Sequence, residues 1–247
     1  METLIVCCFA TYINDYLNNE KMKITYYGHS CFSVVAGGKT ILFDPYITGN
    51  ELAKDVDINS IAADYIFVSH GHFDHMLDAV AIANNTGATV IGNWEIYSYF
   101  GKEGVKNLFP LNPGGKATFD FGDAKCFISQ HSSSFPDGGY AGVASGFALK
   151  TTDGNFYYSG DTGLTLDMTL IPKWTALDFA VFPIGDVLTM GVEDAIEAAG
   201  FVKTAKILGV HYDTFGFIKL NKEEAIAEFA KSGLTLLLPK IGETIDI

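Results

Sequence analysis

The segment DYIFVS, Asp64 to Ser69, is a near-continuous apolar run that leads directly into SHGHFDH, Ser69 to His75. A strand that is apolar at consecutive positions must be covered on both faces, so the chain has to supply a layer on each side of its sheet. The strand is followed by three histidines and one aspartate within six positions, His70 to His75, although the whole chain has six histidines. The stretch after a buried strand and before a helix is where α/β proteins place their sites.

The rest of the chain repeats this grammar. MKITYY, CFSVVA, a Gly37-Gly38 turn and TILFDP read as strand, strand, turn and strand. HMLDAVAIANNTG reads as one helix, stopped by Asn84, Asn85 and Gly87. ATVIG reads as a strand and WEIYSYF as a short helix. In the second half, KATFDFG and AKCFISQ predict a hairpin across Gly122-Asp123. VASGFALKT and NFYYSGD predict another across Asp153-Gly154. LTLDMTLIP, VEDAIEAAGFV and KEEAIAEFAKS then read as helices alternating with the strands LDFAVFPIG, AKILGV and LTLLLP. GGKTILFDP and DGNFYYSGD echo one another, each a turn and a strand closing on an aspartate. This echo predicts two related halves, each a mixed sheet with helices on its outer face. The expected fold is α/β with mixed sheets, packed as a four-layer αβ/βα sandwich.

Residues 22–247 are expected to form a single domain, with 1–21 an N-terminal extension outside it. METLIVCCFATY has no basic stretch before its apolar core, which argues against a signal peptide. No apolar run reaches the roughly 18 residues of a membrane span. Cys7, Cys8, Cys31 and Cys126 show neither a CxxC pair nor disulfide spacing, as expected of reduced thiols in the cytoplasm. The net charge is −13 and all sixteen basic residues are lysines. That charge argues against nucleic acid, and without arginine there is no bidentate fork for phosphate or carboxylate.

Residues i and i+2 of an extended segment point the same way, so His70 and His72 can share one metal ion, with Gly71 permitting a tight backbone path. Asp74 and His75 sit at a helix start and diverge from that pair toward a second ion. His131, Asp161 and His211 each follow a predicted strand and are expected to meet the cluster at one rim. Imidazole and carboxylate suit zinc, manganese or ferrous iron.

The motif His70-x-His72-x-Asp74-His75, followed by His131, Asp161 in GDTG and His211, resembles the metallo-β-lactamase superfamily. GHSCF, SGDTG, PIGD with TMGVEDA, and GVHYDTFG look most like its metal-dependent hydrolase branch related to ascorbate-6-phosphate lactonases. The resemblance implies one ion on His70, His72 and His131, another on Asp74, His75 and His211, and Asp161 between them. It also implies two divalent ions, Zn2+ first and Mn2+ or Fe2+ otherwise.

Such a pair would activate a bridging hydroxide for hydrolysis of a small-molecule ester, lactone, amide or phosphoester, a lactone or sugar-derived metabolite best of all. Asp74 would also orient the nucleophile and pass a proton. A mononuclear iron persulfide dioxygenase is the alternative, and a metal-dependent nuclease or phosphodiesterase a more distant one. The expected partner is a small molecule, not nucleic acid or membrane, and a homo-oligomer is compatible with the apolar content. Four residues carry two readings each. His29 contacts substrate or braces a ligand, or is a structural histidine. Asp44 fixes a ligand or turns a strand end, Asp186 serves the site or caps a turn, and Tyr212 serves the site or simply packs.

Overall fold

Neighbouring residues of the central strands face two different cores. Ile41, Phe43, Phe67 and Ile91 belong to one buried cluster, whereas Leu42, Ile66 and Val90 belong to another. This is the two-sided burial that DYIFVS demands, with one core on each face of the sheet. The computed structural model describes residues 21–247; the extension expected at 1–21 lies outside them but for Lys21.

The strands are β1 (Lys23–Gly28), β2 (Cys31–Ala36), β3 (Lys39–Phe43), β4 (Tyr65–Phe67), β5 (Thr89–Gly92), β6 (Leu108–Pro110) and β7 (Lys116–Phe119). They continue as β8 (Gly122–Ile128), β9 (Ser145–Thr151), β10 (Asn155–Tyr158), β11 (Phe179–Pro183), β12 (Lys206–Val210), β13 (Thr235–Leu237) and β14 (Thr244–Asp246). One sheet has the order β14-β1-β2-β3-β4-β5-β6 and the other β13-β12-β11-β10-β9-β8-β7. In the first sheet the β1–β2–β3 antiparallel meander gives way at β3 to parallel pairing through β6. In the second, antiparallel pairing through β10 gives way to parallel pairing through β13. The echo between GGKTILFDP and DGNFYYSGD is therefore structural, since both end at the strand where pairing changes sense. The halves are joined at one edge, where the C-terminal β14 pairs with β1.

Helices α1 (Phe73–Met76), α2 (Ala79–Thr86), α3 (Trp94–Lys102), α4 (Ile171–Trp174), α5 (Val192–Val202) and α6 (Lys222–Lys231) complete the fold. Ala79, Ile82, Ile96 and Phe100 from α2 and α3 pack with Leu42, Ile66 and Val90 on the outer face of the first sheet. Ala195, Ala199 and Phe229 from α5 and α6 cover the second. Between the sheets, Phe43 stacks on Phe32 at 4.7 Å and meets Phe156 edge-on at 5.8 Å. The expected four-layer αβ/βα sandwich is what the chain forms.

Local expectations fail where side chains outside the segment intervene. The helix read over HMLDAVAIANNTG breaks between α1 and α2. The Asp78 backbone N–H donates to the Pro45 carbonyl at 3.0 Å, outside the helical ladder, while its carboxylate accepts from Ile47 N (2.6 Å), Thr48 N (2.9 Å) and Thr48 Oγ1 (2.5 Å), which holds Asp78 at this non-helical position. The first hairpin of the second half turns at Asp120-Phe121 rather than Gly122-Asp123. Gly122 opens β8, where a Cβ would collide with the Lys150 carbonyl. LTLDMTLIP forms a 3-10 turn, Leu166–Leu170, before the single turn of α4. Strands β6 and β14 had no clear signal of their own.

Candidate metal centre

The candidate residues come from strand ends on one rim. Ser69 and His70 follow β4, and His72 is the N-cap residue of α1 with extended backbone and no capping bond from its side chain. That leaves its ring to the centre, while Asp74 and His75 occupy the first helical turn. His131 lies beyond β8, Asp161 beyond β10, and His211 directly after β12. His211, His29 and Asp44 hold left-handed backbone, with φ of 59°, 53° and 41°. Such conformations cost non-glycine residues energy and concentrate at functional sites. The rim is also clipped from sheet to sheet, because His211 N donates to the His29 carbonyl at 2.9 Å.

All seven side chains expected in the centre come together. His70 Nε2 lies 2.9 Å from His72 Nδ1, and the His131 ring centroid is 5.0 Å from that of His70 and 5.2 Å from that of His72. Asp161 Oδ2 lies 2.9 Å from His211 Nε2, 3.2 Å from His75 Nε2 and 3.7 Å from His131 Nε2. Asp74 Oδ2 is 3.8 Å from His75 Nε2 and 3.9 Å from His211 Nε2. Three groupings of donor atoms result: His70–His72–His131, then Asp74–His75–His211 with His29, and Asp44–His70–His75 behind them; Asp161 stands between the first two. Gly71 serves otherwise than its tight-path role predicted. Its φ is not left-handed, and glycine is needed because a Cβ would collide with the Ala141 methyl.

Behind these residues lies a second ring of contacts. Asp44 accepts from Ser69 N at 2.7 Å and from the Tyr158 hydroxyl at 2.6 Å, and its Oδ2 also meets Ser69 Oγ and His75 Nδ1. Ser69 Oγ in turn reaches His70 Nδ1 at 2.9 Å. Asp44 thus orients ligand candidates from both donor groups. His29 Nε2 lies 3.0 Å from Asp74 Oδ2 while its Nδ1 meets Thr214 Oγ1 at 3.0 Å, so this buried histidine braces Asp74 from behind.

The electrostatics favour a cation. Burial works to raise the Asp161 carboxyl, yet His211 and His75 hold it well below the usual range. Burial likewise opposes ionisation of Asp74, and His75 and His29 outweigh it. At His75 burial opposes the charge, but Asp161, Asp44 and Asp74 raise the ring well above its ordinary value. His29, buried and close to His211, is pushed down to about 4. Three carboxylates around one imidazole create a negative potential that positive charge relieves. His75 Nε2 and Asp161 Oδ1 are buried without any hydrogen-bond partner. Orphaned buried polar atoms are rare and costly. A divalent ion would displace the proton from Nε2 of a ring whose Nδ1 is already held by a carboxylate and would take over the charge that Asp161, Asp44 and Asp74 now stabilise, so these residues fit the group.

The centre opens into a cavity of about 650 Å³ lined by His72, Asp74, His131, Asp161 and His211 together with Phe73, Phe135, Phe215 and Phe217, Pro136, Leu188 and the small residues Ser132, Ser134 and Gly138. Tyr212 stays out of it, stacked 6.2 Å from Tyr26 within the core. Asp186 also lies elsewhere, its carboxylate accepting from Val187 N at 2.7 Å beside a separate depression. Sequence reasoning missed Ser69, Tyr158, Thr214 and the aromatic wall. Tyr158 reads as ordinary strand core in NFYY; the available signal was a hydroxyl placed at the strand end that precedes Asp161.

A four-layer sandwich with an imidazole–carboxylate centre at its rim defines the class of metal-dependent hydrolases with the metallo-β-lactamase fold. The family model of the β-lactamase superfamily domain matches residues 23–211. A UPF0173 metal-dependent hydrolase of Flavobacterium johnsoniae is 51% identical over 226 residues, covering 92% of this chain and 100% of that protein. Another from Christiangramia forsetii is 49% identical, with coverage of 92% and 100%. The solved structure of Igni18, a novel metallo hydrolase from Ignicoccus hospitalis, superposes with a TM-score of 0.83 at 30% identity, covering 92% of this chain and 98% of that one. The chain belongs to the UPF0173 metal-dependent hydrolases of the β-lactamase superfamily.

Proposed function

We propose that this enzyme holds two divalent cations, zinc in the first instance, and hydrolyses a carbonyl-centred bond in a small molecule such as an ester or lactone. His70, His72 and His131 would hold one ion and Asp74, His75 and His211 the other, with Asp161 shared. The observation that carries this reading is the pair of unpartnered atoms, His75 Nε2 and Asp161 Oδ1, buried where the two donor groups meet. When bound, such ions supply Lewis acidity, lowering the pKa of a water toward neutrality and polarising the oxygen of the scissile group.

The chain's own residues do the rest. Asp74 lines the cavity and is fixed from behind by His29, so its Oδ2 is placed to orient a water and carry a proton to the leaving group. Asp44 and Ser69 hold the tautomers of His75 and His70. The apolar wall reduces the water around the reacting group, which strengthens every charge interaction there.

Protein purified without added metal should contain close to two zinc or manganese ions per chain by elemental analysis. Asp161→Ala should lower that content and abolish turnover of a lactone and ester panel. Finding one iron per chain, with oxygen uptake on a persulfide, would overturn this reading.

A further inference from the structure

We propose that the substrate of this centre carries, away from the bond that is cleaved, a neutral apolar or aromatic group about the size of a phenylalkyl chain, and that substrates bearing an anion there are selected against. The inference rests on the hydrolytic reading of the site and narrows it.

Beyond the donor groups the cavity is lined by Phe73, Phe135, Pro136, Leu188, Phe215 and Phe217, with Ser132, Ser134 and Gly138 as the remaining, uncharged lining. The apolar part is contiguous with the donor groups, because the Phe215 ring meets the His29 ring edge-on at 5.4 Å. It is also pre-organised. Phe215 stacks on Phe217 at 5.8 Å, and Phe135 stacks on Tyr99 at 4.3 Å. Leu188 follows two residues with left-handed backbone, Asp186 and the β-branched Val187 at φ of 61° and 58°. A valine in that conformation is a genuine outlier, and here it sets the position of a leucine at the cavity mouth. Phe217 is 57% exposed and Leu188 46%, so both offer apolar surface along the cavity that a substrate could cover.

Charge points the same way. Among the described residues, no lysine lines this cavity, and its only side chains charged at neutral pH other than histidine are Asp74 and Asp161. The chain has no arginine anywhere. A phosphate or carboxylate on the far part of a substrate would lie against aromatic faces, whose electron-rich quadrupole repels anions. A phenyl or alkyl group would instead be removed from water there, in a space within the usual range for small-molecule sites. The sugar-derived or phosphorylated metabolite expected from the sequence resemblance fits this wall poorly.

A matched pair of methyl esters with the same acyl chain, ending in phenyl or in sulfonate, tests the proposal; sulfonate is a weak ligand for divalent ions. The metal-replete enzyme should hydrolyse the phenyl ester with a kcat/KM at least tenfold higher. Phe217→Ala should cut that ratio by about tenfold, the effect of losing one good apolar contact. Leu188→Lys, which places a cation at the mouth, should narrow it as well. Calorimetry with the two corresponding primary amides gives a reading independent of turnover, in which the phenyl amide binds and the sulfonate amide does not. If neither ester is cleaved, the ester part of the proposed function fails and the amide isotherms alone decide the substrate class. Equal or tighter binding of the sulfonate amide, or a ratio untouched by Phe217→Ala, overturns the proposal.

Discussion

Asp44 Oδ2 lies 2.7 Å from His75 Nδ1, so the ring presents its other nitrogen, Nε2, to Asp161 at 3.2 Å. One carboxylate therefore fixes how an imidazole faces the centre, and the same carboxylate gathers Ser69 and Tyr158. Asp44 ends the run that begins with the Gly37-Gly38 turn, and Asp161 ends its echo in the second half. The two related aspartates have divided the work, one behind the histidine and one in front of it.

Replacing Asp44 by Asn keeps the volume and changes the donors and acceptors. Partners behind metal-binding histidines typically contribute 10–100-fold to affinity or activity, and we expect a loss of about that size. Chelator competition measures the affinity, with circular dichroism to check folding. An unaltered affinity in a folded Asp44→Asn protein would show that the contact orients nothing.

Gly71→Ala should cost about 10²-fold in turnover, the usual effect of displacing a catalytic group by an ångström. The new methyl meets Ala141 between His70 and His72, so both rings must shift. Relief by a second substitution, Ala141→Gly, is the check. If Gly71→Ala alone is fully active, the packing account is wrong.

Val187 is exposed and left-handed, which costs an L residue roughly 1–2 kcal/mol. Asparagine tolerates that region, so Val187→Asn should stabilise the protein by about 1 kcal/mol. For a chain of this size that corresponds to a rise in melting temperature of about 2–4 °C. Scanning calorimetry would refute this with an unchanged or lower midpoint.

Burial pushes the Cys126 thiol up to about 12 and that of Cys31 well above its ordinary value. With Cys7 and Cys8 replaced by Ser, the native protein should not react with Ellman's reagent at pH 8, and two thiols should appear in denaturant. The unfolded thiols ionise near 8.5, below the folded values. The stability gained from keeping them protonated is therefore complete below about 8.5 and declines as pH rises toward about 12. Rapid labelling of the native form, or flat alkaline stability, would contradict this placement.

Most of the layer architecture was legible because it is written in local periods. DYIFVS announces a strand covered twice, and the alternation of strands with helices announces outer layers. The seven residues expected in the centre were legible for a related reason. Each follows a strand or opens a helix, and strand ends in such folds share a rim. His29 and Asp44 could be shortlisted but not assigned, since His29 could equally have been a structural histidine and Asp44 a strand-end turn residue. For Tyr212 and Asp186 the structure agrees with the plainer of the two readings, because one packs in the core and the other caps its own loop, which chain proximity to the centre alone could not decide.

By itself the sequence determined most of the strands, β6 and β14 excepted, the order of the two halves, and which chemistry-bearing side chains stand at strand ends, since those follow from local backbone preference and burial period. Only the packing of sheet on sheet decided that Tyr158 would reach Asp44 across 114 positions, that His29 would brace Asp74, and that phenylalanines from distant loops would wall the cavity. Those contacts depend on distances between segments far apart in the chain, and no local period records them.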